Sequence, residues 1–479
     1  MLEEIKQDKI RKLNNFKEAG IDPYPAGPYD KENSQEVLKK DLGEKVKVAG
    51  RIMLFRDMGN IAFIHLQDFY GRIQIVLNKK EFEGDYKLWI KNLDSGDFVG
   101  VEGERFDTKK GEKSVLVKKM TLLSKSILPL PDKHKALQTE EGKFRKRYLD
   151  ILFNEEVREM VVKKDKFWNA VRDFMKKKNF IEVETPVLET SAGGADAKPF
   201  ETHHNALDMD VYLRISMGEL WQKRLMVAGL EKTFEIGRQF RNEGMDSEHL
   251  QDYTQMEFYL AYADFEKGME LVKELYRYVA KETFGTTKFQ IRGFEVDLAD
   301  EWEIYDYRKT IKKETEIDIL KTDLDEIEAK LKELKVEYDK KGFNLGRGID
   351  NLWKFCRKKI GGPGFLVGVP VAVSPLAKRD EKNSELTQRF QPIIAGSELG
   401  NGYSELNDPL DQAERFAEQQ KMRDQGDDEA QMHDEDFVEA LEYGMPPTCG
   451  FGMSERVFSF FMNKTARECQ IFPLMKPKE

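Results

Sequence analysis

Between Val46 and Leu123 apolar and polar residues alternate in short runs: VKVAGRIMLFR, NIAFIHLQD, GRIQIVLN, DFVGVEGERF and SVLVKKMTLL. Alternation with a period of two puts successive side chains on opposite faces of a strand. The stretch therefore predicts five short strands, with Gly59-Asn60 and Gly71 as turns between them. Five strands in so few residues suggest a small barrel, of which the oligonucleotide-binding type is a common form; other small barrels and sandwiches carry the same strand signature. Ahead of it, Leu2 to Ala19 has helical spacing and stops at Gly20-Ile21-Asp22-Pro23-Tyr24-Pro25.

After Pro129-Leu130-Pro131 the pattern turns to long helices alternating with strands. Phe167, Ala170, Val171 and Phe174 fall at i, i+3, i+4 and i+7, which predicts one apolar helical face. An extended segment, Phe180 to Pro186, follows, and the proline confines it to an edge or a chain boundary. Leu324, Ile327, Leu331 and Leu334 predict a charged helix with a narrow apolar stripe, read as a surface insertion at about 315–341 without a catalytic role. Gly364 to Pro375 reads as a buried strand, too short to span a membrane. In Thr233 to Asp264 the pattern is strand, polar loop, strand. On the second strand Tyr253, Gln255, Glu257 and Tyr259 share one face, and Thr254, Met256, Phe258 and Leu260 share the other. Arg241 ends the first strand on the face of Glu235 and Gln239. A half-exposed hairpin with no chemistry would alternate in the same way.

With 479 residues the chain exceeds what one hydrophobic core usually serves. The pattern shifts divide it into an N-terminal helix and linker (1–43), the barrel (44–128), a linker (129–155) and a large α+β domain (156–479). The net charge of −10 is uneven: residues 1–140 hold 26 Lys and Arg against 23 Asp and Glu, and the remainder 52 against 65. A slightly basic barrel on an acidic body permits RNA contact through the N-terminal part. The first residues, MLEEIKQDKIRKLNNF, alternate charges and do not read as a signal peptide. Three widely spaced cysteines, Cys356, Cys449 and Cys469, suit a reducing cytoplasm and offer no zinc-ligand spacing.

The order of residues carries more than the pattern. Phe-Arg-Asn-Glu at 240–243, then His249, then Glu257, resembles motif 2 of class II aminoacyl-tRNA synthetases. Further stretches in the right order, LQDFYGRIQ, RYLDI, FIEVETPVL, GGADAKPFETHHNALDMDVYLRI, SPLAK, SELGNGYSELND and the closing IFPLMKP, resemble successive landmarks of the lysine-specific family. The resemblance spans nearly the whole chain. It implies an oligonucleotide-binding barrel that contacts the anticodon, and a catalytic domain with an antiparallel sheet flanked by helices. It implies ATP and Mg²⁺, L-lysine and tRNA(Lys) as partners, and a homodimer built through the Phe167–Phe174 helix and the Pro186 strand.

Residue by residue, Arg241 corresponds to the arginine bridging the lysine carboxylate and the α-phosphate of ATP, a role that suits a rigid bidentate guanidinium. Arg456 resembles the motif 3 arginine that stacks on adenine and reaches the phosphates; Tyr253 matches the aromatic on the opposite side of the ring, and Glu243 and His249 match groups that place the nucleotide. For lysine, the matching positions are Glu405 and Tyr259 at the ε-ammonium, Glu219 and Glu257 at the α-ammonium, Asn401 at the carboxylate, with Tyr403 and the backbone of Gly194. Glu398 matches a Mg²⁺ ligand, and Gln391 stands where a second, usually a glutamate, is common. In the barrel Phe63, Gln74 and Arg56 match the residues that recognise the central uridine of the anticodon, an aromatic to stack and an amide to read the base edge. A core position for Phe63 fits its alternation equally.

The chain departs from the family at several places. Gly450-Phe451-Gly452-Met453-Ser454-Glu455-Arg456 is one residue shorter than motif 3 usually is and lacks its third glycine. Glu248 precedes His249 where a basic residue is often found, Leu250-Gln251-Asp252 replaces an Asn-Pro-Glu, and Ser216-Met217-Gly218-Glu219 is one residue long. An aspartyl or asparaginyl enzyme would share both domains, but an aspartate pocket would need a cation facing the substrate side chain. A non-catalytic paralogue would keep the fold and lose the chemistry.

Overall fold

The computed structural model describes residues 2–131, 137, 139–195, 197–244, 246–338, 340, 343–424 and 431–477. The chain forms two compact units, residues 1–142 and 143–479. In the first unit the five alternating runs become β1 (Lys45–Asp57), β2 (Ile61–Gln67), β3 (Arg72–Asn78), β4 (Phe98–Asp107) and β5 (Lys113–Ser124). They close into a barrel in the order β1-β2-β3-β5-β4, with β3 and β5 parallel and β4 returning to pair with β1. Inward positions hold Val46, Val48, Ile52, Ala62, Ile64, Leu66, Ile73, Ile75, Leu77, Val99, Val101, Val115 and Val117. The N-terminal helix, Leu2–Glu18, packs Phe16 against Trp89 at one end of that core. Nearby, Lys125 and Asp97 are fully buried and paired at 2.8 Å, and Asp94 joins them to Lys12 at 2.7 Å. Oppositely charged groups taken out of water together fix the helix on the barrel.

The second unit is organised by a nine-stranded sheet. Its central strands are Arg389–Ile394, Asn401–Ser404, Thr448–Ser454, Asp252–Ala261 and Lys232–Phe240, all antiparallel; parallel pairs occur only at the two ends. One face is apolar: Phe234, Met256, Phe258, Phe390, Phe451 and Met453 join a core with Phe167, Val171 and Phe174 of the long helix Glu155–Lys177 and with the helix Phe265–Phe284. The apolar helical face read from the sequence is therefore core. The opposite sheet face carries the polar residues of the same strands and floors a cavity.

The charged helix Leu324–Glu333 buries only Ile327 and Leu331, and packs on the helix Leu345–Arg357. Trp353 of that second helix is buried, and its Nε1 donates to Glu398 Oε1 at 2.5 Å. The insertion thus supports a residue of the cavity wall from behind. The apolar stretch from Gly364 is a strand only to Val367; Val371–Val373 is a single 3₁₀ turn. Gly368, at φ +72°, turns the backbone out of the extended region and ends the strand. Among the described residues no helix is long and apolar enough to cross a membrane, and the three cysteines are buried and unpaired.

Candidate functional site

A cavity of about 460 Å³ lies on the polar face of the central sheet, lined by Gly194, Glu219, Arg241, Glu243, Glu248, His249, Tyr253, Glu257, Tyr259, Gln391, Glu398, Asn401, Tyr403, Glu405 and Arg456, among others. Every residue assigned by resemblance to lysine, nucleotide or metal is in this list. They come from segments as remote as Gly194 and Arg456, brought together because strand neighbours in the sheet are remote in sequence: Glu257 pairs with Glu235 on one side and Gly452 on the other.

The inner end holds three buried carboxylates, Glu219, Glu257 and Glu405. Glu257 Oε1 accepts from the Met217 N–H at 3.0 Å, Ser216 Oγ at 3.1 Å and Gln255 Nε2 at 2.7 Å. Burial and the neighbouring Glu219 nevertheless push its carboxyl up to about 8. Tyr259 Oη donates to Glu219 Oε2 at 2.9 Å, and Tyr403 Oη to Glu219 Oε1 at 2.6 Å. Tyr259 is thus bonded to Glu219 and Glu257, not to Glu405, its expected companion at the ε-ammonium.

One charged residue behind this end was not legible from the sequence. Lys223, fully buried, pairs with Glu219 and lies 2.5 Å from Glu405 Oε2. A cation therefore lies behind the carboxylates that line the pocket, held between two of them. With all three carboxylates ionised, the single ammonium would leave a formal charge of −2, which a ligand with two ammonium groups would neutralise; burial holds Glu257 and Glu405 toward the protonated form until such charges arrive. Glu405 itself is raised well above the carboxylate range by burial, with Lys223 opposing and Glu219 adding to the rise. The spacing Glu219–Lys223 is i, i+4, as on a helical face, and was the one available signal.

Two glycines give this pocket its depth. A β-carbon on Gly450 would collide with Glu405 Oε1 and the Tyr259 ring, and one on Gly194 (φ +87°) would lie 2.6 Å from Glu219 Cβ. Motif 3, although short, keeps its register: Thr448 to Ser454 pairs residue for residue with Ala261 to Gln255. Glu455 N–H then donates to Thr254 O, which starts the helix Arg456–Phe461 at the cavity wall.

The outer part is rich in guanidinium groups. Arg241 lies over the Tyr253 ring, 5.8 Å from its centroid, and Arg456 faces Glu248. Asn401 Oδ1 accepts from Arg389 Nε at 2.7 Å, which leaves its NH₂ as the donor for a carboxylate. His249 Nδ1 is 2.8 Å from Asp246 Oδ2 and is exposed. Arg357 pairs with Glu398 Oε2 at 2.9 Å, and Glu398 with Gln391 are the oxygen donors expected for a metal. Among the described residues no group of three or more His, Cys, Asp or Glu could hold an ion alone.

In the barrel, Phe63 is half-buried on the outer face and outside the core, which removes its core reading. Arg56 is its direct partner on β1, and Gln74 lies two residue pairs along on β3, opposite His65. The three residues therefore share one face. Gln74 is buried and its Nε2 donates to Ser114 Oγ at 2.9 Å, so the amide is oriented with its oxygen uncommitted to that bond.

Comparison with known proteins agrees with this geometry. A family model described as tRNA synthetases class II (D, K and N) matches residues 139–476, and one described as OB-fold nucleic acid binding domain matches residues 46–123. The chain is 44% identical to a lysine--tRNA ligase of Thermoanaerobacter pseudethanolicus, 42% to one of Thermotoga maritima and 40% to one of Thermosipho melanesiensis. Each match covers 100% of this chain and 97% of the relative. With a full-length match at this identity, a barrel of the oligonucleotide-binding type and the synthetase sheet with its polar cavity, the chain belongs to the class II aminoacyl-tRNA synthetases, among relatives that are lysine--tRNA ligases.

Proposed function

We propose that this chain activates L-lysine with ATP to lysyl-adenylate and pyrophosphate, and then transfers lysine to the 3′ end of tRNA(Lys). The observation that carries this is the inner pocket: of three buried carboxylates, Glu219, Glu257 and Glu405, only two share the one resident ammonium, so that two further ammonium groups would be met by carboxylates that ionise as they bind. An aspartate side chain would meet carboxylates there, because Lys223 is already engaged.

In the first step a lysine carboxylate oxygen bonds to the α-phosphorus and the bond to pyrophosphate breaks. The attacking group is already ionised, so no general base or nucleophilic side chain is needed. Arg241 orients the carboxylate and balances the charge gathering at the α-phosphate, with Asn401 donating to the same carboxylate. In the second step the terminal ribose hydroxyl of tRNA attacks the carbonyl carbon, its proton passes to the departing phosphate oxygen, and AMP leaves. A nucleotide-borne Mg²⁺, which offsets phosphate charge, fits Glu398 with Gln391 beside it, since Mg²⁺ usually takes one or two protein oxygens together with substrate phosphates.

Recognition of the anticodon is assigned to Phe63, Gln74 and Arg56 on the barrel, with the protein acting in the cytoplasm. A homodimer is supported by apolar side chains left uncovered beside the long helix: Ile181, Val187 and Leu188 are 50%, 41% and 47% exposed. Sedimentation of a fully active monomer removes the dimer. The test of the activity is ATP–pyrophosphate exchange with lysine, ornithine and aspartate. Exchange with lysine, weaker with ornithine and absent with aspartate, is the expected order; preference for aspartate, or no exchange at all, overturns the reading.

A further inference from the structure

On the nucleotide side of the cavity, the carboxylate of Glu248 stands between two guanidinium groups. Arg292 pairs with Glu248 Oε1, and Arg456 Nε lies 3.9 Å from Glu248 Oε2. Both arginines rest on the ring of buried Phe460, with Cζ at 3.9 Å and 5.6 Å from its centroid. A separation of 3.9 Å is too long for a hydrogen bond. Arg456 Nε and Glu248 Oε2 are both buried atoms, and among the described residues neither has another hydrogen-bond partner. Glu248 thus bonds Arg292 closely and leaves Arg456 Nε unsatisfied.

Arg292 is delivered from a fixed mount. It occupies, with Gly293, the two-residue tip of the hairpin Lys288–Ile291 and Phe294–Asp297, both residues at positive φ (50° and 89°). Its backbone N–H donates to Asn463 Oδ1 at 3.0 Å. Both central residues in the left-handed region are what a tight hairpin turn demands, and a non-glycine there is uncommon. Position 248 is acidic, and the guanidinium that faces it comes from residue 292.

We propose that Glu248 is a resident anion standing where the terminal phosphate of the nucleotide binds, and that Arg292 is a further nucleotide-binding residue which takes that phosphate together with Arg456 once Glu248 is displaced. The inference rests on the nucleotide reading of the cavity. A guanidinium offers the same donor fork to carboxylate and phosphate. A terminal phosphate brings more charge and more acceptor oxygens than Glu248, so the exchange favours the nucleotide.

The test is the ATP dependence of lysine-driven pyrophosphate exchange in Arg292→Gln, Glu248→Gln and the double variant Glu248→Arg with Arg292→Gln, beside direct binding of AMP. Arg292→Gln should raise the KM for ATP about ten- to a hundredfold, the loss expected for one charge-assisted contact, with kcat changed far less. AMP, which has no terminal phosphate, should bind all of these proteins equally, and equal binding also reports an intact fold. Glu248→Gln should leave the KM for ATP equal or lower. The double variant, which supplies the cation from position 248, should return the KM most of the way to the starting value. An unchanged KM in Arg292→Gln, an equal loss for AMP, or no recovery in the double variant overturns the proposal. Retention of exchange by Arg241→Gln would instead overturn the nucleotide reading itself, whatever Arg292 does.

Discussion

Lys223 Nζ lies 2.5 Å from Glu405 Oε2; both side chains are buried, and Glu405 lines the inner end of the cavity. The same ammonium pairs with Glu219, so two of the three pocket carboxylates are aimed by one residue that belongs to the chain and not to the ligand. Removing one member of a buried ion pair costs about 3–5 kcal/mol, because the partner stays buried and uncompensated. Lys223→Met should therefore lower the unfolding free energy by about that amount. Free lysine should recover more stability in the variant than in the wild type, since its ammonium groups replace the missing charge. Denaturant titrations with and without lysine measure both; an unchanged midpoint would mean the pair is worth nothing here.

Glu405→Gln addresses the ligand side of the same relationship. With the ε-ammonium deprived of its carboxylate, kcat/KM for lysine should fall about two to three orders of magnitude, the kinetic form of the 3–5 kcal/mol above. ATP should bind nearly as before, because Arg241, Tyr253 and Arg456 lie on other segments of the cavity wall. Ornithine, one methylene shorter, should be discriminated by about 1–3 kcal/mol in the wild type. Normal lysine activation by the variant in pyrophosphate exchange would separate Glu405 from lysine recognition.

Glu257 sets a pH dependence. Its carboxyl stands at about 8 in the folded protein, raised first by burial and then by Glu219 from an ordinary 4.5. Between those values the folded state holds a proton that the unfolded state has released. The stabilising effect of that proton is complete at the acid end and is lost as pH rises through about 8. Lysine, with two ammonium groups, favours the ionised carboxylate, so binding should release protons near neutral pH and tighten as pH approaches 8. Calorimetry of lysine binding in buffers of different ionisation enthalpy reads the protons directly. Glu257→Gln should abolish that part of the release; identical release in the variant would assign it to another group.

Phe63→Ala probes the barrel. Because Phe63 is half-buried on the outer face, truncation should leave barrel stability nearly unchanged while removing about 1–3 kcal/mol of base stacking. Charging of tRNA should weaken and pyrophosphate exchange should not. Equal losses in both assays would point to a structural role instead.

How much of this was legible in the sequence differs by element, for a physical reason. Strand alternation is local, so the five barrel strands and the polar face of Tyr253, Gln255, Glu257 and Tyr259 could be read directly, and the order of short motifs named the family. Pairing across the sheet is not local. That Lys223 meets Glu405, 182 positions away, depends on the helix Trp221–Val227 lying against the segment after Asn401–Ser404, and no periodicity encodes it. That Arg292 faces Glu248 depends on a hairpin tip seated beside Asn463. The sequence by itself determined which residue types the chain carries, in what order, and which face of each strand they share. Only the tertiary structure decided which charges become neighbours, because burial and strand pairing join remote segments, and in a buried site the nearest opposite charge sets what each group can do.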